Sequence, residues 1–250
     1  MSLRAHLLAG QVIPAHPLAL APDRTLDERR QRALTRYYVA AGAGGMAVGV
    51  HTTQFEIREH GLLRPVLELA METADAALSR DRRPFARIAG VVGPTRAAVG
   101  EAEIAAAIGY DAALVSLGGL GGLSDAALVA HCRAVADVLP IVGFYLQPAV
   151  GGRPLGAAFW RELAEVPGLV AVKIAPFASV SAAARCSHAA SAVGASPIAF
   201  TASSISTARR VHTAHCPSRP PTMRRVVARP PVSTGNGVSR SCTMLSSLPV

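Results

Sequence analysis

Gly168-Leu-Val-Ala-Val-Lys-Ile-Ala175 is an apolar run interrupted by one charge, and it has the length and composition of a strand buried in a parallel sheet. The charged residue, Lys173, is the one lysine of the chain, against 24 arginines. Arginine cannot replace an amine nucleophile, because its guanidinium does not deprotonate. A single amine on a buried strand therefore indicates Schiff-base chemistry. A codon bias towards arginine, or a lysine that reaches water from a strand end, explains the pattern equally well.

Five similar β-rich or apolar runs precede this one, and each is separated from the next by a stretch of helical length. They are Gln11–Ile13, Gly45–Val50, Phe85–Val92, Ala112–Leu117 and Ile141–Leu146. Alternation of strands and helices predicts a parallel sheet. Six such units within residues 1–177 have about 30 residues each, which is the length of one βα crossover.

The segments between the runs carry helix start and stop signals. The predicted helices are Thr25–Ala41, Pro65–Ser79, Thr95–Ile108, Ser124–Leu139 and Pro154–Val166. Thr25-Leu-Asp-Glu28 has the pattern of a capping box, and Gly42 and Gly109 are natural C-terminal stops.

A TIM (β/α)8-type barrel and a doubly wound sheet both fit this alternation. The sequence has no G-x-G-x-x-G after its first strand and no G-x-x-x-x-G-K-[ST], so nucleotide-binding folds of the doubly wound kind are disfavoured. The run Gly118-Gly-Leu-Gly-Gly122 lacks the lysine and hydroxyl of a phosphate loop, and we interpret it as a flexible or close-approach turn. The sequence favours the barrel.

Composition changes abruptly near residue 177. Residues 1–177 contain all 16 acidic residues, 16 arginines and Lys173, a net charge of +1, whereas residues 178–250 contain eight arginines and no acid. Serine occurs four times before the break and 14 times after it. We therefore predict two parts, a βα-repeat barrel body with the active site at 1–177 and a basic Ser/Arg/Pro-rich tail at 178–250.

The tail does not supply the two strand–helix units that a complete barrel needs after Lys173. It contains one strand-like run, Pro197–Thr201, so Lys173 is expected on an open edge strand. We hypothesise that residues from about Ala178 come from a shifted reading frame. The alternative is a selected, poorly ordered tail that binds polyanions. With Phe200 as its one aromatic residue, such a tail would contact nucleic acid weakly and without sequence preference.

Four segments of the body occur in a familiar order and spacing. They are Gly10-Gln-Val-Ile-Pro-Ala-His-Pro-Leu18, Gly44-Gly-Met-Ala-Val-Gly-Val-His-Thr-Thr53, Gly143-Phe-Tyr-Leu-Gln-Pro148 and Val170-Ala-Val-Lys-Ile174. Together they resemble the dihydrodipicolinate synthase / N-acetylneuraminate lyase family of class I aldolase-type TIM barrels. The resemblance covers about residues 8–177 and implies an incomplete barrel of about six βα units, followed by a tail that does not match.

The resemblance implies roles for five residues. Lys173 matches the lysine that forms a Schiff base with a 2-keto acid, usually pyruvate, and Tyr145 matches the tyrosine that relays protons. Thr52 and Thr53 match the two hydroxyl residues that bind the keto-acid carboxylate. Arg153 lies where the family often has substrate-selecting residues, and it is either a ligand for a second carboxylate or solvated surface.

The sequence departs from the family at two places that bear on the substrate. Gln54-Phe55-Glu56 follows the threonines in place of the usual Gly-Glu. Ser116–Gly122 replaces tyrosines that often follow the preceding strand, one of which reaches a neighbouring subunit's site. The resemblance therefore leaves the substrate open.

The body is thus expected to be a Schiff-base lyase or synthase that acts on pyruvate or another 2-keto acid, with an aldehyde as a further partner. A cytoplasmic protein is expected, since the sequence has no signal peptide and no membrane-spanning run. The resemblance implies a homo-oligomer if the barrel is intact. We predict no metal and no cofactor, and interpret His16 and His51 as packing residues near the barrel mouth. Two alternatives stay open: a truncated inactive chain, and a non-catalytic body whose basic tail binds polyanions.

Overall fold

The computed structural model describes residues 1–146 and 151–175, together with the backbone of residues 196–198. Within these residues, six parallel strands pair in the order in which they follow along the chain. They are β1 (Gly45–Val48), β2 (Ala86–Val91), β3 (Ala112–Val115), β4 (Ile141–Leu146), β5 (Leu169–Ala175) and β6 (Ser196–Ile198). A doubly wound sheet reverses its strand order at a switch point, and these strands do not. Their order confirms the predicted α/β architecture of barrel type.

In the described part of the chain, two helices precede β1, and one helix follows each of the strands β1 to β4. They are α1 (Leu3–Leu8), α2 (Glu28–Ala40), α3 (Leu63–Leu78), α4 (Thr95–Ile108), α5 (Asp125–Ala136) and α6 (Ala157–Ala164). The bounds of α4 are those predicted, and Gly109 ends it in the left-handed conformation with φ 101°. The sequence analysis missed α1. Its first turn is capped by Ser2, whose hydroxyl accepts the amide of Ala5.

The predicted capping box at Thr25 is wrong, because Asp27 is the N-cap residue of α2. The Asp27 carboxylate accepts the backbone amide of Arg30 at 2.9 Å and its guanidinium at 2.6 Å. Thr25 instead donates its hydroxyl to Asp23 at 2.7 Å. Aspartate is a better N-cap than threonine and also interacts favourably with the helix dipole, so the helix begins nearer to the carboxylate.

The predicted strand Gln11–Ile13 does not form a regular strand. The residues that follow it, up to His16, lie along β1 and make isolated hydrogen bonds to it. The amide of Ala47 donates to the carbonyl of Pro14 at 2.9 Å, and the amide of His16 donates to the carbonyl of Ala47 at 2.8 Å. Pro14 has no N–H to donate, which limits the pairing. The segment nevertheless occupies the position of a first barrel strand, beside β1.

The side chains form two separate cores, one on each face of the sheet. The inner core contains small and medium residues that alternate along the strands, with Leu7 of α1 added at the N-terminal end. Its buried members are Leu7, Ile13, Ala47, Val50, Ala86, Ile88, Ala112, Leu114, Val142, Phe144 and Ala171. The outer core lies between the sheet and the helices and includes Phe159 and Trp160 of α6. Because successive strand residues face opposite sides, membership of a core reports the direction of each side chain.

Lys173 does not lie on an open edge, contrary to the expectation from the sequence. The strand β6 pairs in parallel with β5 across residues 171–173, with Lys173 opposite Ile198. Three residues of the segment beyond 177 therefore continue the sheet. The rest of the predicted tail lies outside the described residues. The reading-frame and polyanion hypotheses concern that part of the chain and stay predictions.

We predict that Leu7→Ala lowers the free energy of unfolding by about 2–5 kcal/mol, because it opens a cavity in the inner core. The matched control is Leu8→Ala on the same helix. Leu8 is 58% exposed, so its truncation is expected to change stability by less than about 0.5 kcal/mol. Urea denaturation of both variants measures the difference. Equal losses for the two residues would show that α1 does not close the inner core.

Candidate active site

Lys173 projects into the inner core from β5. It alternates with Val172 and Ile174, which belong to the outer core, and it shares its face with Ala171 of the inner core. Its register partner on β4 is Phe144, and the Lys173 Nζ lies 4.8 Å from the centroid of the Phe144 ring. The side chain is half-buried. The amine therefore lies inside the sheet, two residues before the C-terminal end of β5.

Burial lowers the pKa of the Lys173 amine below its ordinary value, because the apolar surroundings disfavour the charged form. The Phe144 ring acts in the opposite direction, since its π face stabilises a cation. Desolvation is the dominant effect. A lowered pKa increases the fraction of neutral amine, the form that attacks a carbonyl carbon.

Tyr145 lies on the other face of β4. Its ring contacts Trp160 of α6 in an edge-to-face arrangement with centroids 6.2 Å apart, and it packs against the outer core. Its register partner is Ile174, which is also an outer-core residue. The structure therefore brings Phe144, and not Tyr145, next to the Lys173 amine. The relay role that the resemblance implies for Tyr145 stays a prediction, and it requires the ring to leave this outer face.

Thr52 and Thr53 lie in a 3-10 turn, His51–Thr53, that follows the C-terminal end of β1. The turn is thus at the same edge of the sheet as the end of β5. Thr52 is exposed, whereas Thr53 is fully buried and donates its hydroxyl to the carbonyl of His16 at 2.6 Å. Gln54 after the turn has φ 70°, an unusual backbone conformation for a residue other than glycine.

A buried polar network supports the carbonyl to which Thr53 donates. The side chains of His16, Gln31 and Thr35 are all fully buried. His16 Nδ1 lies 2.8 Å from Gln31 Nε2 and 2.9 Å from the carbonyl of Pro17. Gln31 Nε2 donates to that carbonyl at 3.0 Å, and Gln31 Oε1 accepts the amide of Ala19 at 2.7 Å. His16 Nε2 lies 2.8 Å from Thr35 Oγ1. Both ring nitrogens of His16 thus lie within hydrogen-bond distance of buried polar groups.

An ion pair holds the segment that continues from the turn. Arg58 Nε donates to one oxygen of Glu101 at 2.7 Å, and both side chains are 14% exposed. Arg58 Nη2 also donates to the carbonyls of Gly49 and Gly90, at 3.2 and 3.0 Å, where β1 and β2 end. Glu101 in turn accepts the amide of Val92 at 3.1 Å. The pair therefore fixes the C-terminal ends of two adjacent strands.

Arg153 contacts the start of α5. Its Nη1 donates to the carbonyl of Leu123 at 2.7 Å, and its Nη2 forms an ion pair with Asp125 at 3.1 Å. These bonds fix the segment that leads into α6 and occupy part of the guanidinium. Binding of a second carboxylate by Arg153 stays a prediction.

The two histidines at this edge have different environments. His16 is fully buried in the network, as interpreted from the sequence, and burial lowers its pKa below the ordinary value. His51 is exposed, and its ring contacts Phe55 with centroids 5.6 Å apart. Within the described residues 1–146 and 151–175, no cluster of three or more His, Cys, Asp or Glu could hold a metal ion.

Sequence reasoning missed the network and the ion pair. Gln31 and Thr35 are four residues apart on α2 and are its buried residues. That spacing puts two polar side chains on one helix face, which is the available signal. Arg58 and Glu101 carry no comparable signal, since they are 43 residues apart and meet through the tertiary structure.

The fold of this chain is similar to that of several solved structures. A dihydrodipicolinate synthase from Acinetobacter baumannii, solved with pyruvate, is 21% identical, with a TM-score of 0.61 over 76% of this chain and 62% of its own length. A prophage protein of the dihydrodipicolinic acid synthase family from E. coli K12, also solved with pyruvate, is 22% identical, with a TM-score of 0.60 over 74% and 61%. An N-acetylneuraminate lyase from Mycoplasma synoviae is 15% identical, with a TM-score of 0.55 over 72% and 60%.

These similarities confirm, at the level of the fold, the resemblance seen in the sequence. The chain spans about three fifths of the length of the structures that it matches. No protein-family model matches the chain, and no curated protein matches it. In the described part of the chain, every helix is too short or too polar to cross a membrane.

We predict that the free energy of unfolding falls as the pH drops below about 6.5, the ordinary pKa of histidine. Burial lowers the pKa of His16 in the folded state, so the unfolded chain binds the proton first. Between the two pKa values, His16 alone contributes a slope of up to about 1.4 kcal/mol per pH unit. Urea denaturation from pH 5 to pH 8 measures it.

The control variant is His16→Asn, which removes the titrating ring. Its slope is expected to be smaller than that of the wild type. Part of the slope remains, because burial also lowers the pKa of His131. Identical slopes for the two proteins would contradict the assignment to His16.

Proposed function

We propose that the body of this chain forms a Schiff base between Lys173 and a 2-keto acid and is a class I aldolase-type lyase or synthase. The observation that carries the proposal is the half-buried amine on the inner face of a parallel sheet of barrel type, with its pKa lowered by burial. Amines of this kind are nucleophilic near neutral pH. The structures with a similar fold include two that were solved with pyruvate.

The chemistry follows from the amine. The neutral Lys173 nitrogen attacks the carbonyl carbon of the keto acid, and the carbonyl oxygen accepts a proton, giving a carbinolamine. A second proton on that oxygen lets it leave as water, and the nitrogen lone pair completes the double bond of a protonated imine. The imine withdraws electrons from the neighbouring carbon, so that carbon can lose a proton to give an enamine, which adds to an aldehyde. In the reverse direction the carbon–carbon bond breaks, the aldehyde leaves, and the carbon regains a proton.

The turn His51–Thr53 is the proposed site for the keto-acid carboxylate. It follows β1, and its exposed Thr52 offers a hydroxyl donor at the edge of the sheet where β5 ends. A charge-assisted hydrogen bond to a carboxylate is stronger than one between neutral groups. Anchoring the carboxylate there orients the ketone and restricts its approach to the amine.

We predict that borohydride reduction in the presence of pyruvate attaches one keto-acid adduct to Lys173. Since Lys173 is the single lysine, the N-terminal amine is the one competing primary amine, and peptide mass spectrometry separates the two. Lys173→Arg keeps a cation but removes the nucleophile, so it is expected to abolish the adduct. A folded wild-type protein that gives no adduct at Lys173 would refute the proposal and leave a barrel-type fold without this chemistry.

A second prediction concerns the hydroxyl of Tyr145. On the geometry of β4 we expect Tyr145→Phe to change the rate of adduct formation by less than about threefold, because the ring packs against Trp160 on the outer face. Removal of a proton relay typically costs about 100-fold or more. Borohydride trapping at successive times after mixing gives the rate of adduct formation for each protein, and hence the ratio of the two rates. A hundredfold loss would establish the relay role and require β4 to turn Tyr145 inward.

A further inference from the structure

A cavity of about 630 Å³ is lined by two segments of the chain, residues 18–26 and residues 54–62. Cavities of this size hold small molecules. We infer that it is a binding site for a small apolar monocarboxylate, with Arg24 as the residue that contacts the carboxylate. The cavity is separate from Lys173, so the inference does not depend on the proposed function.

The floor of the cavity is aliphatic and continues the outer core. Ile57 is buried in that core, and Leu18, Leu26 and Leu62 pack against it. Leu20 also lines the cavity and is 36% exposed. Aliphatic surface in an open cavity is in contact with water, and a ligand with an apolar body removes it from water. The floor therefore favours a ligand whose body is a hydrocarbon.

The cavity and the amine of Lys173 belong to different sides of the sheet. The amine faces the inner core beside Phe144, whereas the aliphatic residues of the cavity belong to the outer core. The described residues that line the cavity include neither Thr52 nor Thr53. A molecule in the cavity therefore contacts different residues from a keto acid bound at Lys173.

Backbone strain in the described part of the chain is concentrated at this cavity. Among the described residues other than glycine, Arg24 and Gln54 are the two with φ in the left-handed region, at 66° and 70°. Both line the cavity. Such conformations cost free energy and cluster at binding sites. The side chains of both residues donate hydrogen bonds, and a carboxylate accepts them.

Arg24 occupies a place in a hairpin where glycine is the usual residue. Leu20 pairs with Leu26 in an isolated antiparallel bridge, and the amide of Ala21 donates to the carbonyl of Thr25 at 2.9 Å. The amide of Arg24 donates to the carbonyl of Ala21 at 2.9 Å and closes the turn. A three-residue hairpin loop of this kind ends in a left-handed residue, which glycine supplies without steric cost. Arg24 is exposed and forms no ion pair with any described residue, so a ligand accounts for an arginine at this position.

The charges on the rim favour a ligand with one negative charge. The polar residues that line the cavity are Arg24, Thr25, Gln54, Glu56 and His60. The guanidinium of Arg24 is a permanent cation whose paired N–H groups match a carboxylate. The carboxylate of Glu56 disfavours a second anionic group on the ligand. The cavity therefore fits an aliphatic monocarboxylate such as octanoate better than a dicarboxylate.

The first arm of the test titrates the full chain with octanoate and its analogues by isothermal titration calorimetry. We expect one octanoate per chain. From butanoate to octanoate the affinity is expected to rise about two- to fourfold per methylene, because each methylene buries apolar surface. Octylamine and suberate, the amine and the dicarboxylate of equal chain length, are expected to bind at least about fivefold more weakly than octanoate.

The second arm compares substitutions on the rim and on the floor. Arg24→Gly is expected to weaken octanoate binding about fivefold and to keep a melting temperature close to that of the wild type, because glycine adopts the left-handed φ without steric cost. Leu20→Ser is expected to weaken octanoate binding about fivefold and butanoate binding less. The matched controls are Arg29→Gln and Leu8→Ser, at exposed residues that do not line the cavity, and both are expected to keep the wild-type affinity.

Three results would overturn the inference. The first is the absence of saturable binding when the folded wild type is titrated with millimolar octanoate. The second is binding that does not depend on chain length, or that Arg29→Gln weakens as much as Arg24→Gly does, since either would show a general attraction to surface arginines. The third is a change of oligomeric state by Leu20→Ser in sedimentation velocity with octanoate binding unchanged, which would assign the apolar wall to an interface between copies of this chain.

Lys173→Arg separates this site from the proposed function. The variant is expected to give no pyruvate adduct and to bind octanoate with the wild-type affinity. Loss of octanoate binding in this variant would place octanoate beside the amine instead of in the cavity, and the inference would fail. A wild type that binds octanoate but gives no pyruvate adduct would refute the proposed function and support this site.

Discussion

The alternation of side chains along a paired strand is the constraint on which the rest of this structure depends. On β4 and β5 the register places Phe144 opposite Lys173 and Tyr145 opposite Ile174. Because the side-chain period is two, a slip of one residue would exchange the inner and outer faces of a whole strand. The amine lies in the inner core for this reason, beside an aromatic ring at 4.8 Å, while Tyr145 packs against Trp160. Any chemistry at Lys173 uses the groups that share its face.

At the C-terminal ends of β1 and β2, most of the buried polar groups are satisfied by the protein itself. The His16 network and the Arg58–Glu101 pair together hold the ends of β1 and β2 and the turn between them. Buried polar groups cost free energy unless they are paired, and once paired they favour a single arrangement. Rigid supports of this kind are expected beneath a site that must orient a small substrate. Arg153 has a similar supporting contact at the start of α5.

Periodicity was sufficient to predict most of the elements. The helix α4 and the strands β2 to β5 lie where apolar spacing and glycine stops put them, because these signals act over a few neighbouring residues. The errors arise where two local signals compete or where the partner is distant. Asp27 displaces Thr25 as the cap of α2, and Pro14 limits the pairing of the first segment with β1. The strand β6 completes the pairing of β5, which no pattern within β5 indicates.

The sequence by itself determined the order of the strands, the position of the single lysine on a buried one, and the resemblance to aldolase-type barrels. These are properties of spacing and composition, which are written directly in the chain. The tertiary structure alone decided which side chains meet: Lys173 with Phe144, Tyr145 with Trp160, and Thr53 with the carbonyl of His16. The physical reason is that register, burial and hydrogen-bond pairing join residues up to 43 positions apart, and no local pattern records those pairings.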